Sequence, residues 1–368
     1  MNYKFPVIEH IDQIREAIKG REEFIEADRG DYIVFNYLIA YTDSFDCPLR
    51  RECRGLIFNP QGKLLSRRFH KFFNMGEREE TLNPDLTQEH VLLEKLDGSM
   101  ITPLLLPSGL KWATKIGVTY IGLMCEQFVK NSKIDYTYFV LNLIRSNVTP
   151  IFEYMSPKTR IVIDHSEEKL VLIAVRENTT GKYFRYENML EVANYWNIPV
   201  VQPMLVNIHD VKNLINTEGI VVCFTDGHKL KVKTDWYCAI HKMKENLLFE
   251  KNVIKLILED KVDDILPALP EAYKNKLNEY KNELLLSITL FVMMICNKLE
   301  YYEKTLITKK DYALKYAPTD DPLHRNVIFS CWGNDKDVRT EIIKSMLKHT
   351  GSQTEVDSIR HLLPEKWG

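Results

Sequence analysis

The run VLLEKLDGS at residues 91–99 joins three apolar residues to a charged corner that closes on Gly98 and Ser99. An apolar stretch ending at such a corner reads as a buried strand running into a turn. The strand would fix the amine of Lys95. Gly98 would let backbone approach a bound phosphate or ribose, and Asp97 would add a polar contact. Taken alone, K-x-D-G is a weak signal, because a solvated strand-to-turn corner has the same composition.

The surrounding texture fixes the fold class. From about residue 31 to 232 the chain runs through short β-rich segments, among them YIVFNYLIAY, GLIFNPQGKLLSR, SMITPLLL, LVLIAVRE and GIVVCF. NPQG (59–62) and NTTG (178–181) are turn signals between strand-like flanks. Residues 11–19 and 121–145 read as helical. This half is α+β, and the close strand–turn–strand spacing favours antiparallel sheets. Beyond about residue 241 glycine nearly disappears and apolar residues recur at helical spacing, as in NVIKLILEDKVDDILPAL and DVRTEIIKSMLKH. The reading is therefore two domains, 1–243 of mixed structure and 244–368 all helical, with the boundary near 241–246.

Composition narrows the function classes. The chain has 368 residues, 45% hydrophobic and 27% charged, with a formal net charge of −2. That balance gives no global attraction to polyanions, so a nucleic-acid site has to be a local basic patch. The seven cysteines are odd in number and form no C-x-x-C pair, which points away from a zinc ribbon or a disulfide framework and toward a reducing cytosol. The N-terminus lacks the continuous apolar core of a signal peptide. The longest oily run, 284–296, is too short for a bilayer and reads as a buried helix. No membrane is expected.

Several further features carry chemistry. Glu218-Gly219 begins a strand-like run, and a turn later come Lys229, Lys231 and Lys233. Alternate residues share one face of a strand, so these three lysines are expected to point together. Ammonium groups so crowded repel one another unless anions sit among them, which suits a polyphosphate site; an exposed edge strand carrying lysine against aggregation is the other reading. Glu153 lies between Phe152 and Tyr154 and would face away from both. Arg54 beside Gly55 suits bidentate phosphate contact. The block Phe69, Phe72, Phe73 around Lys71 reads as core rather than a base-stacking platform.

In order, Arg54-Gly, Lys71-Phe-Phe-Asn, Lys95-x-Asp-Gly, Phe-Glu153-Tyr, Glu218-Gly and Lys231-x-Lys233 resemble the covalent nucleotidyltransferases, the polynucleotide ligases and mRNA capping enzymes. E-C-R-G-L-I-F, H-K-F-F-N, E-K-L-D-G-S, A-T-K-I-G, V-R-E-N-T-T-G and L-K-V-K-T-D-W-Y are similar to the RNA ligase family typified by the first RNA ligase of bacteriophage T4. The resemblance spans roughly residues 30–241. It implies an ATP-dependent RNA ligase in which Lys95 forms lysyl-AMP, AMP passes to an RNA 5′-phosphate, and a 3′-hydroxyl then seals the strand.

The same resemblance assigns roles residue by residue. Tyr37, Arg54, Lys71, Asp97, Gly98, Lys115, Glu153, Lys231, Lys233 and Tyr237 match ATP-contacting positions. Glu153 and Glu218 match acidic positions that contact ribose or help hold Mg2+ (or Mn2+); Asp263 and Asp264 are a weaker metal pair, and an acidic surface turn explains them as well. Attack needs a neutral amine, although a free lysine has a pKa of about 10.4. Neighbouring Lys231 and Lys233 are expected to lower that of Lys95. The expected partner is RNA with 5′-phosphate and 3′-hydroxyl ends, such as a nicked tRNA, and the expected protein is a cytoplasmic monomer, in the host cytoplasm if phage-encoded. The helical tail argues against DNA ligases and capping guanylyltransferases, which follow Lys-x-Lys with a β-rich OB-fold. A non-catalytic RNA-binding protein on the same fold is the reading of another class. It sits poorly with the retention of Lys95, Glu153, Glu218, Lys231 and Lys233.

Overall fold

The computed structural model describes residues 4–159, 161–269 and 271–367; the N-terminal reading that began at Met1 is thus met only from Lys4 onward. The chain divides into two compact units, Met1–Cys238 and Ala239–Gly368, and the division falls inside the helix Asp235–Asn246.

Among the described residues, eleven strands form three sheets in the first unit. They are β1 Phe24–Asp28, β2 Ile33–Tyr37, β3 Leu56–Phe58, β4 Leu64–Ser66, β5 His90–Glu94, β6 Ser99–Leu106, β7 Gly109–Ala113, β8 Val148–Met155, β9 Lys169–Glu177, β10 Gly219–Phe224 and β11 Lys229–Lys233. The sheet orders are β1-β2-β3-β4, β11-β10-β5 and β7-β6-β8-β9, and every pairing between these strands is antiparallel. NPQG and NTTG form the expected turns, closed by Asn59 N–H to Lys63 O and Glu177 N–H to Lys182 O. The stretch 121–145 is not one helix but two, Tyr120–Asn131 and Tyr136–Arg145. Asp135 starts the second by accepting from the Tyr138 amide, the usual use of an aspartate at a helix N-cap. Strand β1 and the helix Tyr186–Tyr195 lie where no regular element was expected.

Sheet alternation places the site. In β8 the burial pattern puts Phe152 and Tyr154 into the core and leaves Glu153 on the other face. Between the sheets sits a buried charge cluster: Glu52 accepts from Arg67 at 2.9 and 3.2 Å and from Arg176 with both bonds at 2.8 Å. Burial opposes the Glu52 carboxylate, but Arg176 and Arg67 outweigh it and hold its pKa low. Glu52 and Arg176 belong to the motifs E-C-R-G and V-R-E-N-T-T-G, so those motifs meet as a strut between β-sheets.

The second unit is helical and packs a single core around the 34-residue helix Glu271–Lys304. Leu277, Tyr280, Leu284, Ile288, Phe291 and Ile295 form its buried stripe, while Leu286, Leu290 and Met293 are exposed. The expectation that the oily run is a buried helix is corrected in one respect. The oily run is the middle of a much longer helix, and only one face is covered. By length and composition alone Tyr273–Lys304 is apolar enough to cross a membrane, with 22% of its most apolar window buried.

Candidate active site

Backbone pairing brings the first two motifs together before any side chain is considered. Ile220 pairs with Glu94 across β10 and β5, and Lys95 N–H donates to Gly219 O at 2.9 Å. Gly219 in turn pairs with Lys233. Gly219 has φ of 136°, and a side chain there would collide with Val232 O, so the strands approach closely only because it is glycine. The result is a chain of charges. Glu218 is buried, and its Oε1 lies 2.6 Å from Lys95 Nζ and 3.2 Å from Lys233 Nζ. One carboxylate thus bridges two ammonium groups. The Lys95 amine, expected among cations, thus also has a carboxylate partner, the Glu218 that had been set against a metal.

The pKa of Lys231 falls to about 7. Burial is the largest cause, followed by the positive charges of Arg54, Lys71 and Lys95. The backbone holding Lys231 is doubly fixed, with Lys231 N–H to Phe73 O at 3.0 Å and Met75 N–H to Lys231 O at 2.8 Å. Its ammonium lies 5.3 Å from the centre of the Phe72 ring. Lys229 departs from the expected three-lysine face. It is buried, its ammonium 4.5 Å from the Tyr183 ring and donating to Cys223 Sγ at 3.1 Å, so two lysines of the strand remain for anions.

Glu153 stands on the opposite wall. Burial pushes its carboxyl up to about 8; Lys95 and Arg54 pull it down, and Glu218 and Asp97 push it further up. Arg54 lies beside it, its Nη1 3.6 Å from Met100 Sδ on the strand paired with Glu153. Lys71 sits over the rings of Tyr37, Phe45 and Phe73 at 5.2, 5.3 and 5.2 Å, and Lys115 lies 5.9 Å from the Tyr37 ring. Burial opposes ionisation of the Tyr37 phenol, yet Lys71, Arg54 and Lys115 together bring its pKa down. A groove of about 750 Å³ opens beside Lys71, lined also by Arg51, Arg78, Glu77 and Glu80.

Asp97, Gly98 and Tyr237 have roles that their spacing did not suggest. Asp97 is buried; one oxygen accepts from Tyr237 O–H at 2.7 Å, the other from the amides of Val162 and Ile163 at 2.8 and 2.6 Å. A Cβ at Gly98 would lie 2.6 Å from Tyr154 O, so this glycine lets the Lys95 turn press against β8. These residues brace the corner that carries Lys95. Asp263 and Asp264 lie in the second unit; Asp263 is exposed and paired with Lys281 at 3.2 Å, and among the described residues neither joins a cluster of three metal donors. The supports that sequence reasoning missed are Glu52, Arg67 and Arg176. Their one visible signal is charge inside otherwise apolar runs.

Comparison with known proteins gives the family. A family model described as RNA ligase, of the T4 type, matches residues 52–237, from Glu52 of the buried strut to Tyr237 of the brace. A protein of Thermovibrio ammonificans with a provisional RNA ligase name is 29% identical over 287 residues, covering 73% of this chain and 75% of its own. RNA ligase 1 of bacteriophage TS2126 is 26% identical over 275 residues, covering 70% and 68%. Among solved structures, an archaeal ATP-dependent RNA ligase aligns with a TM-score of 0.47 at 14% identity, over 77% of this chain and 79% of that one.

Proposed function

This chain belongs to the RNA ligase family, and on that premise we propose that it seals RNA ends at the expense of ATP, with Lys95 as the residue that carries AMP. The observation behind this is the Lys95–Glu218–Lys233 chain, set among Arg54, Lys71 and Lys231.

Lys95 Nζ leaves Glu218, gives up a proton to solvent and attacks the α-phosphorus of ATP. The new N–P bond forms as the bond to pyrophosphate breaks. Arg54, Lys71, Lys231 and Lys233 offset the charge on the departing phosphates, where fixed cations in a partly dry site count for more than in water. Lys233 then remains beside Glu218, which keeps that carboxylate paired once Lys95 is neutral. AMP next passes to an RNA 5′-phosphate; a 3′-hydroxyl displaces it and the phosphodiester closes. Tyr37, between Lys71 and Lys115, offers a ring and a hydroxyl at the nucleotide edge.

Glu153 and Glu218 suit a divalent cation. Burial leaves Glu153 protonated up to about pH 8, and a cation beside it would hold it as carboxylate. With phosphate oxygens the pair would supply the all-oxygen donors that Mg2+ or Mn2+ accepts, and the ion would neutralise phosphate charge.

The substrate reading is RNA carrying a 5′-phosphate and a 3′-hydroxyl, including a nicked tRNA, with residues 1–243 as the nucleotidyltransferase domain and 244–368 as a module for RNA selection. A monomer in the cytoplasm of a phage-infected host fits relatives that include a phage enzyme. The test is incubation with a 5′-phosphorylated single-stranded RNA, ATP and Mg2+. Exonuclease-resistant circles should form, and GTP should not replace ATP. Sealing of nicked duplex DNA with no product from RNA would overturn the proposal.

A further inference from the structure

Among the described residues one trio of metal-capable side chains stands apart from the ligase chemistry: Asp321, His324 and His361 of the helical unit, with ligand atoms all within 4.8 Å of one another. We propose that they form a binding site for a borderline-soft divalent ion of the zinc class, held by two imidazoles and one carboxylate.

The carboxylate is already aimed. Asp321 caps the helix Pro322–Cys331 with Oδ1, which accepts from the amides of Leu323 and His324 at 2.8 and 3.3 Å. Oδ2 is turned to His361 Nε2 at 3.4 Å. For metal–ligand bonds of about 2.1 Å, the edge of a tetrahedron measures about 3.4 Å. The second imidazole is held as firmly. The His324 ring packs on Phe291 with centroids 4.5 Å apart, and its Nε2 is buried with no hydrogen-bond partner among the described residues. Leaving a buried ring nitrogen unsatisfied is unfavourable, and a metal ion bound to it removes that cost.

Nearby charge does not oppose the ion. Lys298 is the lysine that faces His324, and Asp320 pairs with it at 2.6 Å while also accepting from Tyr312 O–H at 2.8 Å. His361 is half exposed, which leaves an entry route and room for water as a further ligand. Three protein ligands and open coordination positions distinguish this site from a closed structural zinc site. The two exposed cysteines, Cys238 and Cys296, are the other soft donors a zinc ion would meet in solution.

The test is calorimetric titration of ZnCl2 into the full chain stripped of metal by chelator. Excess Mg2+ masks the ligase carboxylates, and Cys238→Ser and Cys296→Ser remove the exposed thiols. One saturable ion per chain is expected, with affinity falling at least about tenfold in His361→Ala. The same variant should lose the zinc-dependent rise in the thermal midpoint of the helical unit. His361 is exposed, so its truncation leaves folding intact; circular dichroism verifies this. Absence of a saturable site, or equal binding in His361→Ala, would overturn the assignment.

Discussion

Lys231 offers the sharpest quantitative consequence of the site. With a pKa near 7 it is about half protonated at neutral pH in the free protein, because burial and three neighbouring cations oppose its charge. A bound polyphosphate reverses that balance, so nucleotide binding should take up about 0.5 proton at pH 7 and about 0.9 at pH 8. Affinity follows from the same linkage, falling about fivefold from pH 7 to pH 8 and about tenfold for each further unit. Lys231→Met should abolish both the uptake and the slope. It should also weaken binding by roughly 10- to 150-fold, the value of a charge-assisted hydrogen bond of about 1.5–3 kcal/mol. The assay is titration calorimetry with α,β-methylene-ATP in EDTA, in two buffers of different ionisation enthalpy. The unreactive analogue prevents adenylylation, and EDTA removes any coupling of metal to Glu153. Comparing the two proteins cancels the protonation of the nucleotide itself. Equal proton uptake by Lys231→Met and the parent would refute the reasoning.

Three other expectations concern the scaffold. Glu52→Ala strands the buried guanidiniums of Arg67 and Arg176 and should destabilise the first unit by about 3–5 kcal/mol, read from chemical denaturation. Tyr237→Phe leaves an Asp97 oxygen without its donor; a loss of roughly 1–3 kcal/mol in stability and slower adenylylation at unchanged nucleotide affinity are expected, by denaturation and single-turnover kinetics. In the second unit Glu250 is drawn from its ordinary 4.5 down to about 2: burial opposes this, but Arg360, Tyr280 and the Trp367 amide prevail. A depressed carboxylate contributes stability above its unfolded pKa. The thermal midpoint of that unit should therefore fall as pH drops from 4.5 toward 2, and Glu250→Gln should flatten the profile.

What the sequence made legible follows from the range of the forces involved. Strand alternation and turn chemistry act over a few residues, so the hairpins at NPQG and NTTG, the outward Glu153 and the facing of Lys231 and Lys233 were readable directly. The Asp97–Tyr237 bond spans 140 residues, and the Glu52–Arg176 pair spans 124; no local pattern encodes either. The same limit explains Lys229, which alternation aligned with its neighbours and which tertiary packing enclosed against Tyr183. It also explains why Lys95 was expected among cations alone, when β10 delivers Glu218 to it through backbone pairing. Apolar periodicity located the long helix of the second unit, but which of its faces is covered depends on helices far along the chain.

The central claim is that Lys95 is the amine that takes AMP. Incubation with α-labelled ATP and Mg2+, followed by denaturing electrophoresis and peptide mapping, tests it most directly. One acid-labile AMP should map to Lys95, and Lys95→Arg should carry none, because a guanidinium stays protonated and cannot attack. Label that persists in Lys95→Arg, or maps to Lys231 or Lys233, would contradict the account.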